Sequence, residues 1–170
     1  MVADIRILGT GQLIELQRRL RAAGHENLRA SMQRRVRHAA EPLRDDLQQT
    51  LRSTPIRSQG RASGKRGGPS PTTRPLRATI AAAIRISVRN TSGAAGARVW
   101  VDRSSLPPDL KNMPGVINEG RIRHPVFGNR RRWATQWAQP PWWDTTMRRH
   151  RPRMEREVAR VLDDVRRRLE

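Results

Sequence analysis

The sequence predicts an α+β domain, with a sheet of about four mainly antiparallel strands packed by two long helices, one from each half of the chain. Three observations predict it. Leu28, Met32, Val36, Ala39, Leu43, Leu47 and Leu51 recur at steps of three or four, which is the apolar stripe of an amphipathic helix. Trp143, Met147, His150, Met154, Val158, Val161, Val165 and Leu169 form a second such stripe near the C-terminus. Between the two, apolar residues alternate with polar ones at Ile84, Ile86 and Val88, at Val99 and Val101, at Ile122, His124 and Val126, and at Trp133, Thr135 and Trp137. Alternation is the period of a half-buried strand.

Taken in order, Val2 to Leu8 reads as a short strand with Ile5 and Ile7 on one face. Thr10 is placed to cap a helix carrying Leu13, Leu16 and Leu20, and Gly24 ends it. Asn27 is the expected cap of the long helix over 28–51, which Pro42 should bend or divide. Thr54-Pro55 stops that helix. Residues 56–75 are Gly, Ser, Pro, Thr, Arg and Lys with a single aliphatic, Ile56, so no core can form there. The expectation is one domain over 1–170 with a flexible basic loop at 54–75. Pro75 to Ile80 suggests a short helical turn, and 84–101 a β-hairpin turning at Asn90 to Gly96. Trp100 faces away from Val99 and Val101, so it covers the far side of the sheet or meets a partner. Ser104 to Pro114 is a proline-rich connection, and Val116 to Gly120 leads to the next strands. Pro140-Pro141 stops the last strand and opens a helix over roughly 142–169, with Pro152 as an expected bend. Arg166, Arg167 and Arg168 complement the dipole at its end.

The formal net charge is +20, which points to a polyanionic partner. Only Lys65 and Lys111 are lysine, so the charge is nearly all arginine. Arginine- and alanine-rich composition is also what GC-rich coding produces, and both explanations stay open. The apolar fraction of 35% predicts a modest core that would gain from neighbours. No apolar run is long enough to span a bilayer, and the N-terminus lacks a signal pattern. The chain has no cysteine, which removes disulfides and thiolate metal sites.

No catalytic constellation stands out, and the expectation is a non-enzymatic protein with no cofactor. His25, His38, His124 and His150 lack ligand spacing. His124, before a proline, suits local packing or hydrogen bonding. The glycines at 60–68 follow no strand and include no Gly-Lys-Ser/Thr. Asp102, Asp109 and Glu119 are the carboxylates near the predicted sheet and are spread over a loop, a poor arrangement for a divalent cation.

The aromatic residues concentrate in Gly120 to Asp144, which holds Phe127, the only Phe, and Trp133, Trp137, Trp142 and Trp143, four of the five Trp. Aromatics bury the most area per residue, so this stretch is expected to fill the middle of the core. Its interleaved Trp and Arg would also serve base stacking, but alternation and the proline boundary favour packing. The run His124, Pro125, Val126, Phe127, Gly128, Asn129, then Trp133, Gln136 and Pro140-Pro141-Trp142-Trp143 before a final helix, resembles the tail-completion (minor tail) proteins of long-tailed phages, the family named after gene product ten of phage HK97. The order of elements along the whole chain is similar, and the residue-level likeness covers Glu119 to Trp143, with weaker support at Leu76 to Ile80.

That resemblance implies a small α/β sandwich whose copies form a ring. It implies a virion protein of the tail-neck region, assembled in the host cytoplasm, that completes the head-proximal end of the tail and joins it to the capsid connector. The implied partners are further copies of itself in a sixfold ring, other neck and tail proteins, and genomic DNA in the lumen held without sequence reading; no membrane and no small-molecule substrate is implied. The family pattern is structural and transfers no catalytic residue. Candidate contacts to partners or DNA are Arg57, Arg61, Lys65, Arg66 and Arg74 in the basic loop and Arg130, Arg131 and Arg132 before Trp133. Sheet edges and the loop 103–118 are candidate ring contacts. A free, sequence-independent nucleic-acid-binding protein, and another neck ring such as a terminator or stopper, are the alternatives.

Overall fold

A computed structural model of the chain describes residues 5–8, 11–24, 26–58, 75–91, 94–126, 129–139 and 141–168. Helix α1 (Gly11–Ala22) buries Leu16 and Leu20. It stops at Gly24, whose φ of 70° is a left-handed conformation that glycine adopts at little steric cost. Helix α2 (Glu26–Ser53) then forms the spine of the core. Asn27 is not its cap but lies inside the first turn, with Glu26 ahead of it where negative charge complements the helix dipole. The buried stripe runs through Met32, Val36, Ala40, Leu43, Leu47 and Leu51, so Ala40 rather than Ala39 keeps the core-facing phase. Helix α2 continues unbroken through Pro42, although proline removes one hydrogen bond of the ladder.

Helix α5 (Trp142–Arg167) packs against α2 in the opposite direction. Three contacts fix that sense: Arg35 with Asp164 at 2.6 Å, Asp46 with His150 at 2.7 Å, and Thr50 with Thr146 at 3.4 Å. Met154, Val158, Val161 and Val165 of the expected stripe are buried, and Trp142, Thr146 and Leu162 join them. Pro152 does not interrupt the helix.

The strands form two three-stranded antiparallel sheets, not one sheet of about four. The first has the order β1 (Ile5–Leu8), β4 (Ala94–Val101), β3 (Ile84–Thr91). Its inner face places Ile84 opposite Val101 and Ile86 opposite Val99, all buried against α2. The expected hairpin is present with a shorter turn than 90–96, since pairing continues to Thr91 and Ala94. The second sheet has the order β2 (Ile56–Ser58), β6 (Asn129–Ala138), β5 (Arg121–Val126). The two hairpins do not share a ladder: β1 pairs with the free side of β4, β2 pairs with that of β6, and β3 and β5 remain edge strands.

Two further departures have local causes. Residues 56–58 are strand rather than loop: after the connecting Thr54, which is buried with its hydroxyl donating to the Thr50 carbonyl at 2.7 Å, and Pro55, the chain enters β2. The short turn at 76–80 is helix α3 (Leu76–Ala82), from which Arg77 donates to the Thr54 carbonyl at 2.6 Å. In the connection 103–118, two 3₁₀ turns precede helix α4 (Met113–Glu119), with Pro114 in its first turn where a proline costs nothing. The sequence reading had no helix there. Gly120 ends α4 at φ 85° and hands the chain to β5.

Candidate functional surface

The sheet β2–β6–β5 has one face in the core and one in solvent. Ile122 and Ala138 are buried on the inner side, with Ile56 packed beside them. The antiparallel register puts Arg57 and Arg121 on either side of Trp137, Arg123 opposite Thr135, and Pro125 opposite Trp133. Residues paired in register share a face, so these side chains occupy the outer one. Trp133 and Trp137 are 48% and 47% exposed. The expectation that the whole aromatic stretch fills the core therefore holds for Trp142 and Trp143 and fails for Trp133 and Trp137.

Each exposed indole has a guanidinium over its ring. Arg123 stands 4.9 Å from the ring centre of Trp133, and Arg121 stands 5.8 Å from that of Trp137. Such pairs are held by the electrostatic attraction of a cation for the ring face. Trp133 is also oriented by its Nε1, which donates to the Arg130 carbonyl at 2.8 Å. Arg130, Arg131 and Arg132 are exposed at the hairpin end, and the Asn129 side chain accepts from the Arg131 amide at 2.9 Å, shaping the turn. None of β2, β5 and β6 contains a carboxylate. The helices behave differently: Glu15, Glu26, Asp46, Glu155 and Asp164 each pair with arginine of this chain. Positive charge is thus partly offset along the helices, whereas the three strands carry arginine and no carboxylate of their own.

The remaining sequence candidates fall in three places. His124 is exposed on β5, and its Nδ1 lies 3.1 Å from the Pro125 carbonyl, a local contact of the kind expected. Pro125 is tolerated because β5 is an edge strand of its sheet. Val126 ends β5, and Gln136 pairs with Ile122 and Ser58. Trp142 and Trp143 are 3% and 1% exposed and pack edge-to-face, with centroids 5.3 Å apart. Phe127, Gly128, Arg61, Lys65, Arg66 and Arg74 lie outside the described residues.

Asn118, Arg121 and Arg123 are residues that sequence reasoning missed. Asn118, 8% exposed on α4, accepts from the Trp143 amide at 3.0 Å and donates to the Asp144 carboxylate at 2.8 Å. It therefore supplies the N-terminal cap that Pro141 cannot, and it ties helix α4, which leads into β5, to helix α5. Nothing in the sequence around 118 marks that role. The arginines were legible, since they alternate with Ile122 and His124.

Elsewhere, Trp100 lies half-buried on the outer side of the first sheet beneath Arg98, 4.8 Å from its ring centre. A cleft of about 310 Å³ between the end of α2 and the start of α5 is lined by Thr50, Ser53, Thr54, Thr145, Thr146 and Arg149, among others. Among the described residues no group of three or more His, Asp or Glu is placed to hold a metal ion, and no helix is long and apolar enough to cross a membrane. Comparison with protein-family models, curated proteins and solved structures finds nothing that matches this chain.

Proposed function

We propose that this chain is a structural virion protein of a phage neck, which completes the head-proximal end of the tail and joins it to the capsid connector as a ring around the DNA channel. The observation that carries the reading is the outer face of the β2–β6–β5 sheet. It is rich in arginine, free of carboxylates, and built by the same His124-to-Trp143 stretch that resembles the tail-completion family. Turned toward a lumen, such a face contacts passing DNA through phosphates, without reading bases. A closed ring repeats one heterologous interface. The edge strands β2 and β5, with β1 and β3 of the other sheet, are the surfaces available for it among the described residues.

Purified virions test the reading. Quantitative mass spectrometry is expected to find the protein at a ring-like copy number, and a labelled antibody is expected to mark the junction of head and tail. Virions that lack the protein contradict it.

The same face favours a second reading, a free nucleic-acid-binding protein, because half-exposed tryptophans flanked by arginine suit that chemistry. A free binder holds duplex DNA at physiological salt as a monomer or dimer, whereas a neck protein co-purifies with particles. Another ring of the same neck would change the tier of assembly and leave the chemistry intact.

A further inference from the structure

The outer face of the β2–β6–β5 sheet has chemistry that duplex contacts alone do not use, and we propose that it binds single-stranded nucleic acid by stacking unpaired bases on Trp133 and Trp137. The inference requires only this face and does not rest on the neck reading. The two indoles lie four positions apart on β6, hence on one side of the strand and about 13 Å from each other. That is too far for one base to span, so each ring is a separate platform. Arg123 and Arg121 cover part of each ring and bring positive charge to where the linking phosphates would run. The hydrogen bond from Trp133 Nε1 to the Arg130 carbonyl fixes the first platform in advance. Base stacking on an aromatic ring beside a basic track is how single strands are held without sequence preference.

Charge complementarity selects this occupant over others. Here arginine flanks both tryptophans, Thr135 lies between them, and Pro125 beside Trp133 is the one other apolar residue that the register places on that stretch of the face. A second copy docked face to face would set arginine against arginine. A duplex offers phosphates to the arginines, but its base faces are already stacked, which leaves two half-exposed indoles without a role.

The test is fluorescence anisotropy with the purified full chain at about 0.15 M ionic strength. The probes are a labelled oligo-deoxythymidine, a duplex of equal length, and heparin, a polyanion without bases. The expected result is tighter binding to the single strand than to the duplex. Trp133→Ala with Trp137→Ala is expected to weaken single-strand binding by about fivefold or more per tryptophan, with heparin binding unchanged. Trp133→Phe with Trp137→Phe, which keeps a ring at each site, is expected to recover part of the loss. Both positions are about half exposed, so the fold should survive. A wild-type preference for duplex, an alanine pair that binds the oligonucleotide like wild type, or a phenylalanine pair that recovers nothing overturns the proposal.

Discussion

Trp143 and Trp133 belong to one short stretch, yet one is 1% exposed and the other 48%. Their neighbours set the difference: Trp143 begins a helix pressed on the core, while Trp133 stands on the open side of a sheet. Trp143→Ala is expected to cost about 3–5 kcal/mol, since it deletes a large buried side chain and leaves a cavity. Trp133→Ala or Trp137→Ala should change stability by less than about 1 kcal/mol. Urea denaturation of the three variants checks the contrast, and equal losses would mean that the exposed pair is structural. Asn118 acts by hydrogen bonding. Asn118→Ala leaves the Trp143 amide without its acceptor inside the fold and should cost about 1–3 kcal/mol by the same measurement.

At the scale of elements, the ion pair between Arg35 of α2 and Asp164 of α5 gives a pH-dependent expectation. The hydrogen bond from Arg35 is the main cause that holds the Asp164 carboxyl below its ordinary value, with burial opposing it and the charges of Arg35 and Arg167 adding to it. A folded-state value below the unfolded one stabilises the protein above the ordinary carboxylate range, and that contribution is lost as pH falls through the lowered value. Asp164→Asn should therefore lower the melting temperature at neutral pH and make no difference in stronger acid. Melts across pH check this, and a deficit of equal size at every pH contradicts it. Gly120, at φ 85° between α4 and β5, is a second element-scale test. Gly120→Ala should cost about 1 kcal/mol or more, since alanine is strained at that φ, and urea denaturation measures it.

The elements also show where sequence reasoning reached and where it stopped. Both long helices, the first hairpin and the strands β5 and β6 follow from periodicity, because a 3.6 or 2.0 repeat is a local property. Whether the Trp face of β6 is covered is not local. Alternation shows that Trp133, Thr135 and Trp137 share a side, but the register of β5 decides what they share it with. Ile122 opposes Gln136 and Ile56 opposes Ala138, so the core-facing residues of β5 and β2 match Gln136 and Ala138 rather than the tryptophans. The division into two sheets was equally hidden, since strand pairing between distant segments is not a local property. Helix α4 escaped notice because Pro114 and Gly115 read as loop, although proline is well placed in a first turn.

At the scale of the whole molecule, a net charge of +20 is distributed unevenly over the described surface. The helices pair much of their arginine internally, whereas β2, β5 and β6 carry arginine and no carboxylate of their own. Polyanion binding should be strongly salt-dependent. If six phosphates are neutralised, affinity falls by about a thousandfold between roughly 50 and 200 mM salt. A titration series checks this, and a flat response would mean that the arginines make no phosphate contacts. The proposed role is to join head to tail. Its most direct test is to stop production of the protein during a phage infection and image the lysate. The expected result is full capsids lying beside complete but unattached tails. Joined, infectious particles lacking the protein would contradict it.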